Sequence, residues 1–534
     1  MKHNIISIVC ITFLFVLSGC PTQQLVKEVR DKPLNDRLTR IDTVRLAEQS
    51  VSEPITIEQA TQQITNDINE PNQPRPVVEL TLDKVRMAAL INNLDLKVEL
   101  VDPSISLRSL QQEQAKFEPS AFGSADYDDA DSSTETYDVE AGVEVPLSTG
   151  GSVETSIPFS DTNNGGLADA AVSVSYIQSL LRGAGTNINT HSIRIAAHQW
   201  NIAGARTKLT AIYLLASADV AYWRLYAARK ELEVRQEQYK LAQNQLSHAK
   251  KKVAAGSAAK IEIVRAEAGL AERLEAVINA ETAVQTRQRD MLRIMNQPDT
   301  PLEAEVDLVP RTEPNPLGLD LDAKQLTDQA LANRMEMIEL EQTLTIDDLN
   351  IELAHNSILP DLTLAYTYTA YVQDDTPRQS FDHLPDDSLD IHSLGLSATI
   401  PLGNRAAKAR LQRAKLEKIQ DVSSLERQRQ SIRQEVYEAV SDLERNWRRI
   451  LAAEQGVITA YRDYQVEQSQ FQLGRRTSTD VLYSATRLAD VQLRRIYAFA
   501  DYEIAQVYLA RVTGMLLGNE QVEIKPIDIV SKAP

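Results

Sequence analysis

Few residues of this chain are spaced for bond-making chemistry. His191 and His198 fall two turns apart on one helix face, wider than the i, i+4 pair that grips a zinc ion. That spacing predicts solvated or seam histidines. Asp126, Asp128, Asp129 and Asp131 are calcium-ligand types, but the glycine and closing glutamate of an EF-hand loop are missing. They read as an acidic loop tip, echoed later by Asp374, Asp375, Asp386 and Asp387. Gly183-Ala184-Gly185-Thr186 lacks the Gly-Lys of a phosphate loop and reads as a strand-to-helix corner. Gly403-Asn404 fills the same place in the second half. Arg448-Arg449 and Arg494-Arg495 are solvated helix faces or, in a functional reading, the lining of a lumen. No Ser/His/Asp or Cys/His set has supporting context. The sequence therefore predicts no enzyme, no cofactor and no bound metal.

The residue with legible chemistry is Cys20. Lys2 gives a positive start, and Ile5 to Leu17 is an apolar run too short for a comfortable membrane span. Leu17-Ser18-Gly19-Cys20 resembles a bacterial lipobox, whose cysteine becomes the lipidated first residue of the mature chain. The alternative is an uncleaved anchor or a chance cysteine. Cys10 would leave with the signal peptide (1–19), so no disulfide is available. No later segment reaches ~18 apolar residues, and no transmembrane helix is expected. A net charge of −19 over 534 residues argues against a nucleic-acid partner. It suits a soluble surface, or a lumen that favours cations.

These features need elements to hold them, and the heptads supply the elements. Leu225, Leu232, Tyr239, Leu246 and Val253 recur every seventh residue, as do Leu443, Ile450, Val457, Tyr464 and Phe471. The two sets differ by 218 at every position. A seven-residue period marks a helix packed along a partner helix. Gly256 and Gly474 follow each set by three residues and stop each helix. Two long helical hairpins related by duplication are expected over 190–297 and 404–517. The long arms would span ~100 Å at 1.5 Å per residue.

Between the helices the period falls to two. Tyr137, Val139, Ala141, Val143 and Val145 alternate with polar or small residues, as do Leu362, Leu364, Tyr366 and Tyr368, and Leu394, Leu396, Ala398 and Ile400. Strands are expected over 121–177 and 361–400. A soluble sandwich and a lipid-facing barrel with a wet interior both give this pattern. Phe117-Glu118-Pro119 and Ile358-Leu359-Pro360 precede the strands with an offset of 241, not 218, so the first copy carries an insertion. A hairpin around Thr149-Gly150-Gly151 fits it and raises the strand count to six. Residues 20–80 read as a lipid-anchored tether, and 81–117 as a helix broken by Pro103. Residues 298–321 read as a Pro-rich equatorial connection, 322–357 as one helix, and 518–534 as a C-terminal tail. The helix at 322–357 is expected to stack end to end on 258–297, leaving 81–117 to stack on 478–517.

Six strands cannot close a barrel, and open edges are not tolerated in lipid. Membrane-embedded strands therefore demand oligomerisation. The lipobox, the duplicated strand-helix units, the Leu359-Pro360 strand entry and the glycine tips resemble the TolC-like outer-membrane efflux proteins, over about Leu82 to Leu517. The resemblance implies an α+β membrane protein. Its long coiled hairpins form an α-barrel, and trimerisation completes a transmembrane β-barrel. It implies a homotrimer in the outer-membrane lipid, with a long periplasmic extension. That trimer is the exit duct of a tripartite efflux or type I secretion system, working with a periplasmic adaptor (membrane fusion) protein and an inner-membrane transporter. By position, the adaptor-docking tips are Ala255, Gly256 and Ser257, and Leu473, Gly474, Arg475 and Thr477. Asp480 is the nearest candidate for a periplasmic gate, or else a helix N-terminal aspartate favoured by the dipole. The extra hairpin departs from the family's twelve-strand count. A periplasmic coiled-coil scaffold lipoprotein with no pore is the alternative.

Overall fold

The structure is a computed structural model that describes residues 76–519, apart from 131–133, 163–167, 385–387 and 474. The signal segment, Cys20, Asp131, Asp386, Asp387, Gly474 and residues 520–534 lie outside the described residues. The chain runs β1 (Val77–Leu80), α1 (Leu82–Asn92), α2 (Leu94–Glu99), α3 (Asp102–Gln114), then strands β2 (Ser120–Ala130), β3 (Thr134–Pro146), β4 (Gly151–Thr162) and β5 (Ala168–Ser179). A short α4 (Thr186–Asn189) leads into α5 (His191–Ala254) and its return helix α6 (Ile261–Met295). Next come β6 (Asp307–Pro310), α7 (Ala323–Asn333), α8 (Met335–Asn356), β7 (Asp361–Asp374), α9 (Pro377–His383) and β8 (Leu389–Thr399). The chain closes with α10 (Arg405–Gln472), α11 (Ser478–Val512) and α12 (Leu516–Asn519).

The heptad seams are the core. In α5, Leu225 is fully buried and Tyr239 nearly so; in α10, Leu443, the counterpart of Leu225, and Ile450 are buried. α5 has 64 residues and α10 has 68, so each spans roughly 100 Å. α6 packs along the first, α11 along the second, and α11 also packs on α5.

The end-to-end stacking differs from the expectation. The N-terminal helices stack on α6: Asn296 donates to the Asn92 carbonyl at 3.0 Å and Asn93 to the Ile294 carbonyl at 3.2 Å. Val85, Ala88 and Ala89 share one core with Met291, Leu292 and Met295. α8 stacks instead on α11, where Met337 shares a core with Leu509 and Val512. The reason is lateral packing. α11 lies against both α5 and α10, as α8 does, whereas α6 packs mainly on α5. The proline-rich connection therefore crosses the equator. On the way β6 pairs in parallel with β1, Val77 opposite Asp307, so residues 77–80 are a strand and not the end of a tether. Tyr502 then donates to the Leu317 carbonyl, and Gly318 lies against Trp447.

Local breaks also depart from the sequence reading. The helix over 322–357 is two helices, because Arg334 turns extended at φ −70°, ψ 133°. The N-terminal helix breaks at Asn93, which caps α2 by accepting from Leu96 N–H at 3.2 Å. Pro103 sits in the first turn of α3, where its missing N–H is no loss. It starts a helix where the sequence suggested a break.

The strands form one antiparallel sheet in the order β2-β3-β4-β5-β7-β8, six in all. Four come from the first copy and two from the second. The Thr149-Gly150-Gly151 turn joins β3 to β4, as expected of the insertion. Its backbone docks on the corner after β5: Gly185 N–H donates to the Thr149 carbonyl at 2.9 Å, and Gln178 Nε2 does so at 3.0 Å. Gly150 has φ +90°, and a Cβ there would meet the Gly183 carbonyl at 2.0 Å, so a side chain is barred twice. Asp126, Asp128 and Asp129 lie in β2 and not in a loop tip.

Candidate functional site

Register sorts every strand residue onto one of two faces. Tyr366 lies opposite Tyr176 and Leu394, Val172 opposite Ala370, and Val143 opposite Thr155 and Ala121. This face is mainly aliphatic and aromatic, with His392 and Asp390 of β8 at one end, bonded to the Tyr366 and Tyr368 hydroxyls. From Leu362 to Ala370 it covers nine residues of β7, the length a tilted strand needs to cross a bilayer. Leu394 (75% exposed) and Leu396 (67%) stand on it in open contact with solvent. Those exposures are untenable in water as an extended patch and point to a lipid or protein cover.

The other face is small and polar. Ser173 and Thr369 share a hydrogen bond at 3.1 Å, and Ser175 and Thr367 one at 3.0 Å. Its charges are acidic: Asp126 lies opposite Asp138, and Glu144 opposite Glu154. Asp169 accepts from Tyr371 Oη and Gln373 Nε2, both at 2.7 Å. Asp126, Asp138, Glu140 and Asp169 line a hollow of about 360 Å³ on this face. No Lys or Arg occurs in any of the six strands. β2 pairs only with β3, and β8 only with β7, so both edges of the sheet are unpaired. All of β8 is exposed. A sheet with one apolar face, one wet face and two bare edges is incomplete as a monomer.

At the far end, the two expected tips meet. Gly256 adopts φ +68°, and Ser257 N–H reaches back to the Lys252 carbonyl at 2.9 Å, closing α5 in a glycine-terminated turn. Arg475 N–H reaches the Gln470 carbonyl at 2.9 Å at the end of α10. Lys252 Nζ lies 4.3 Å from the centre of the Phe471 ring, and Ser478 Oγ bonds Gln245 at 3.0 Å, so the tips are neighbours. Ala255, Gly256 and Ser257 are exposed. Leu473 (68% exposed) and Tyr483 (73%) stand open beside them, with Ile261 and Val264. Sequence periodicity missed Tyr483, Ile261 and Val264; their signal was an apolar residue on the polar face of each return helix.

Asp480 serves α11 directly. Thr477 N–H and Oγ donate to its carboxylate at 2.9 and 2.8 Å, and Asp480 N–H returns to Thr477 Oγ1 at 3.3 Å, a reciprocal capping box. These bonds, led by the one from Thr477 N–H, hold its carboxyl below the ordinary value. His198 bonds Gln342 at 2.7 Å, and His191 is depressed mainly by burial beside α8, so both are seam histidines.

Between sheet and tips, each copy is pinned by an arginine, half-buried in the first copy and buried in the second. Arg86 of α1 binds Asp219 of α5 through two bonds of 2.8 Å, and Asp219 is wholly buried. Burial raises the Asp219 carboxyl, and Arg86 only partly offsets it. In the second copy Arg334 bonds Glu336 at 2.6 Å and Glu435 of α10 at 2.5 Å. Burial opposes ionisation of Glu336, but Arg334, the residue's own backbone N–H and Arg511 together leave that carboxyl below its usual value. Among the described residues no helix is long and apolar enough to cross a membrane.

Residues 326–515 match the outer membrane efflux protein family. In fold, the chain is similar to the CmeC outer membrane channel of Campylobacter jejuni, with TM-score 0.63 at 14% identity, over 93% of this chain and 96% of that one. It is also similar to the outer membrane protein VceC of Vibrio cholerae, with TM-score 0.61 at 16% identity, over 81% and 96%. The open-state MtrE outer membrane channel of Neisseria gonorrhoeae gives TM-score 0.60 at 16% identity, over 82% and 89%. No curated protein sequence matches the chain.

Proposed function

We propose that this chain, whose residues 326–515 match the outer membrane efflux protein family, is the outer-membrane exit duct of a tripartite efflux or type I secretion system. Three copies join β8 of one to β2 of the next and close a barrel. With six strands each, that barrel has eighteen strands, a size that leaves an aqueous bore. The apolar face meets lipid and the Ser, Thr and acidic face lines the passage. The coiled hairpins continue the wall across the periplasm as an α-barrel. Cys20, lipidated, anchors the N-terminal tether in the outer membrane. The tips, from Ala255 to Ser257 and from Leu473 to Thr477, dock on a periplasmic adaptor that links the duct to an inner-membrane transporter. Asp480, repeated three times just past the second tip, is the candidate gate in addition to its capping role.

One observation carries this reading: a two-faced sheet with both edges unpaired, on a helical hairpin far too long to serve the sheet alone. An acid-lined bore without Lys or Arg favours cations over anions. Planar-bilayer recording tests the proposal. Purified protein should give single-channel steps with a cation-positive reversal potential in a salt gradient. A preparation without steps would support a pore-free scaffold. For the tips, Gly256→Asp combined with Leu473→Asp should abolish export in cells while trimers and bilayer steps persist; intact export would place docking elsewhere.

A further inference from the structure

We propose that Asp347 of α8 and Asp421 of α10 form an acid-closed clasp, in which one carboxyl takes a proton from solvent and donates it to the other carboxylate. The pair sits in a seam whose neighbouring α8 members are apolar. On α8, Leu340 and Leu344 pack on the α10 core, and Asp347 takes the next place in the 3-4 spacing. On α10, Leu411, Ala414 and Leu425 are buried, and Asp421 stands between the last two. Asp347 is only 9% exposed, and its Oδ2 has no hydrogen-bond partner. The group it faces is the Asp421 carboxyl. Two ionised carboxylates cannot satisfy each other there, and a shared proton can.

Neighbouring charges do not answer it. On α10, Glu417 adds a like charge and is held by Arg413 at 2.8 Å, while Lys418 is bonded to Asp348. On α5, the basic groups facing α8 have other partners: Arg194 with Glu352 at 3.5 Å, His198 with Gln342, and Arg206 with Glu339. His191, also on α5, borders Leu349, Asn350 and Glu352. From α7 to α8, Arg334 is bound to Glu336 and Glu435. The short α4 carries no charged residue.

Burial first, and then the Asp421 charge, push the Asp347 carboxyl up to about 6. A carboxyl raised from its ordinary 3.8 binds its proton more tightly in the folded state. The clasp is therefore whole at low pH and weakens as pH rises towards and through about 6. Its place gives it leverage. α8 enters β7 through Pro360, and α10 leaves β8 through Asn404, whose side chain donates to the Ile358 carbonyl at 2.9 Å. The clasp fastens these two helices roughly 16–26 Å below that upper tie, at 1.5 Å per residue. Acidification stiffens the joint between strand domain and helices.

Hydrogen exchange on the full-length protein, read by mass on peptides spanning Met335–Asn356 and corrected for intrinsic rates, tests the clasp. Wild type should exchange about tenfold more slowly at pH ~5 than at pH ~7.5. Asp347→Asn supplies a permanent N–H donor, and Asp347→Leu restores the apolar seam; each should be protected at both pH values. An unchanged wild-type profile, or a full pH step retained in both variants, would overturn the proposal. Added magnesium giving acid-like protection at pH ~7.5 would overturn it too, by placing a cation where the proton belongs.

Discussion

The two copies agree closely in their helices and disagree in their strands. The seams of α5 and α10 repeat position for position, each with an arginine joint above it and a tip below. The first copy then adds four strands to the sheet, and the second adds two. Helix length is tied to a fixed reach, because both hairpins must end level at neighbouring tips. Strand number answers only to closure of the sheet, so a hairpin can be inserted at a turn without moving a helix. The inserted turn is not loose, since Thr149 and Gly150 bind the very corner that starts α5. Duplication preserved the part that transmits distance and left free the part that sets the width of the sheet.

The largest effect should come from the second copy's edge. Leu394→Arg with Leu396→Arg puts two charges per copy on the proposed lipid face, at about 2–4 kcal/mol each near the bilayer centre. Membrane insertion should fail, as read by flotation and by loss of bilayer steps. Ser393→Arg with Ser397→Arg, on the opposite face of the same strand, should insert normally and shift selectivity toward anions. Equal outcomes for the two pairs would break the assignment of faces.

The arginine joints sharpen the comparison further. Arg86→Ala strands a fully buried Asp219 and should cost about 3–5 kcal/mol. Arg334→Ala should cost less, about 1–3 kcal/mol, because Glu336 and Glu435 are partly exposed and can be hydrated. Thermal unfolding of both variants measures the difference. The Arg86→Ala deficit should shrink on mild acidification, since an unpaired Asp219, already raised by burial, then takes up a proton. The reverse order of the two variants would show that the first joint is wetter than its geometry implies.

A smaller effect is expected from the insertion itself. Excising β3 and β4, from Thr134 to Thr162, leaves β2 and β5 in antiparallel sense and four strands per copy. Trimers should survive with roughly half the barrel cross-section, which scales with the square of strand number. A variant that no longer assembles would show that the inserted hairpin is needed for the corner as well as for width.

The long hairpins were legible because a heptad seam is a direct record of helix packing, as in Leu225 to Val253. The strand count was legible from an offset mismatch between the copies. The stacking of the upper helices was not, since it depends on which helices lie side by side. Nothing in residues 298–321 says that the connection crosses the equator, or that residues 307–310 pair with 77–80. Pro103 and Arg334 misled for a related reason. A proline starts helices as well as ending them, and a single extended residue inside an apolar period leaves no trace in composition. The acidic pairing also escaped the sequence: Asp126 and Asp138 face each other only through register, and Asp126 alone looked like a loop residue.

The central claim is that three copies pool their sheets. A cryo-EM reconstruction of the full-length protein in lipid nanodiscs tests it most directly. The account predicts a threefold particle whose membrane section is one closed ring of eighteen strands, with β8 of each copy beside β2 of the next. A monomer, or a sheet folded over a dry core with its two edges joined within one chain, would contradict it.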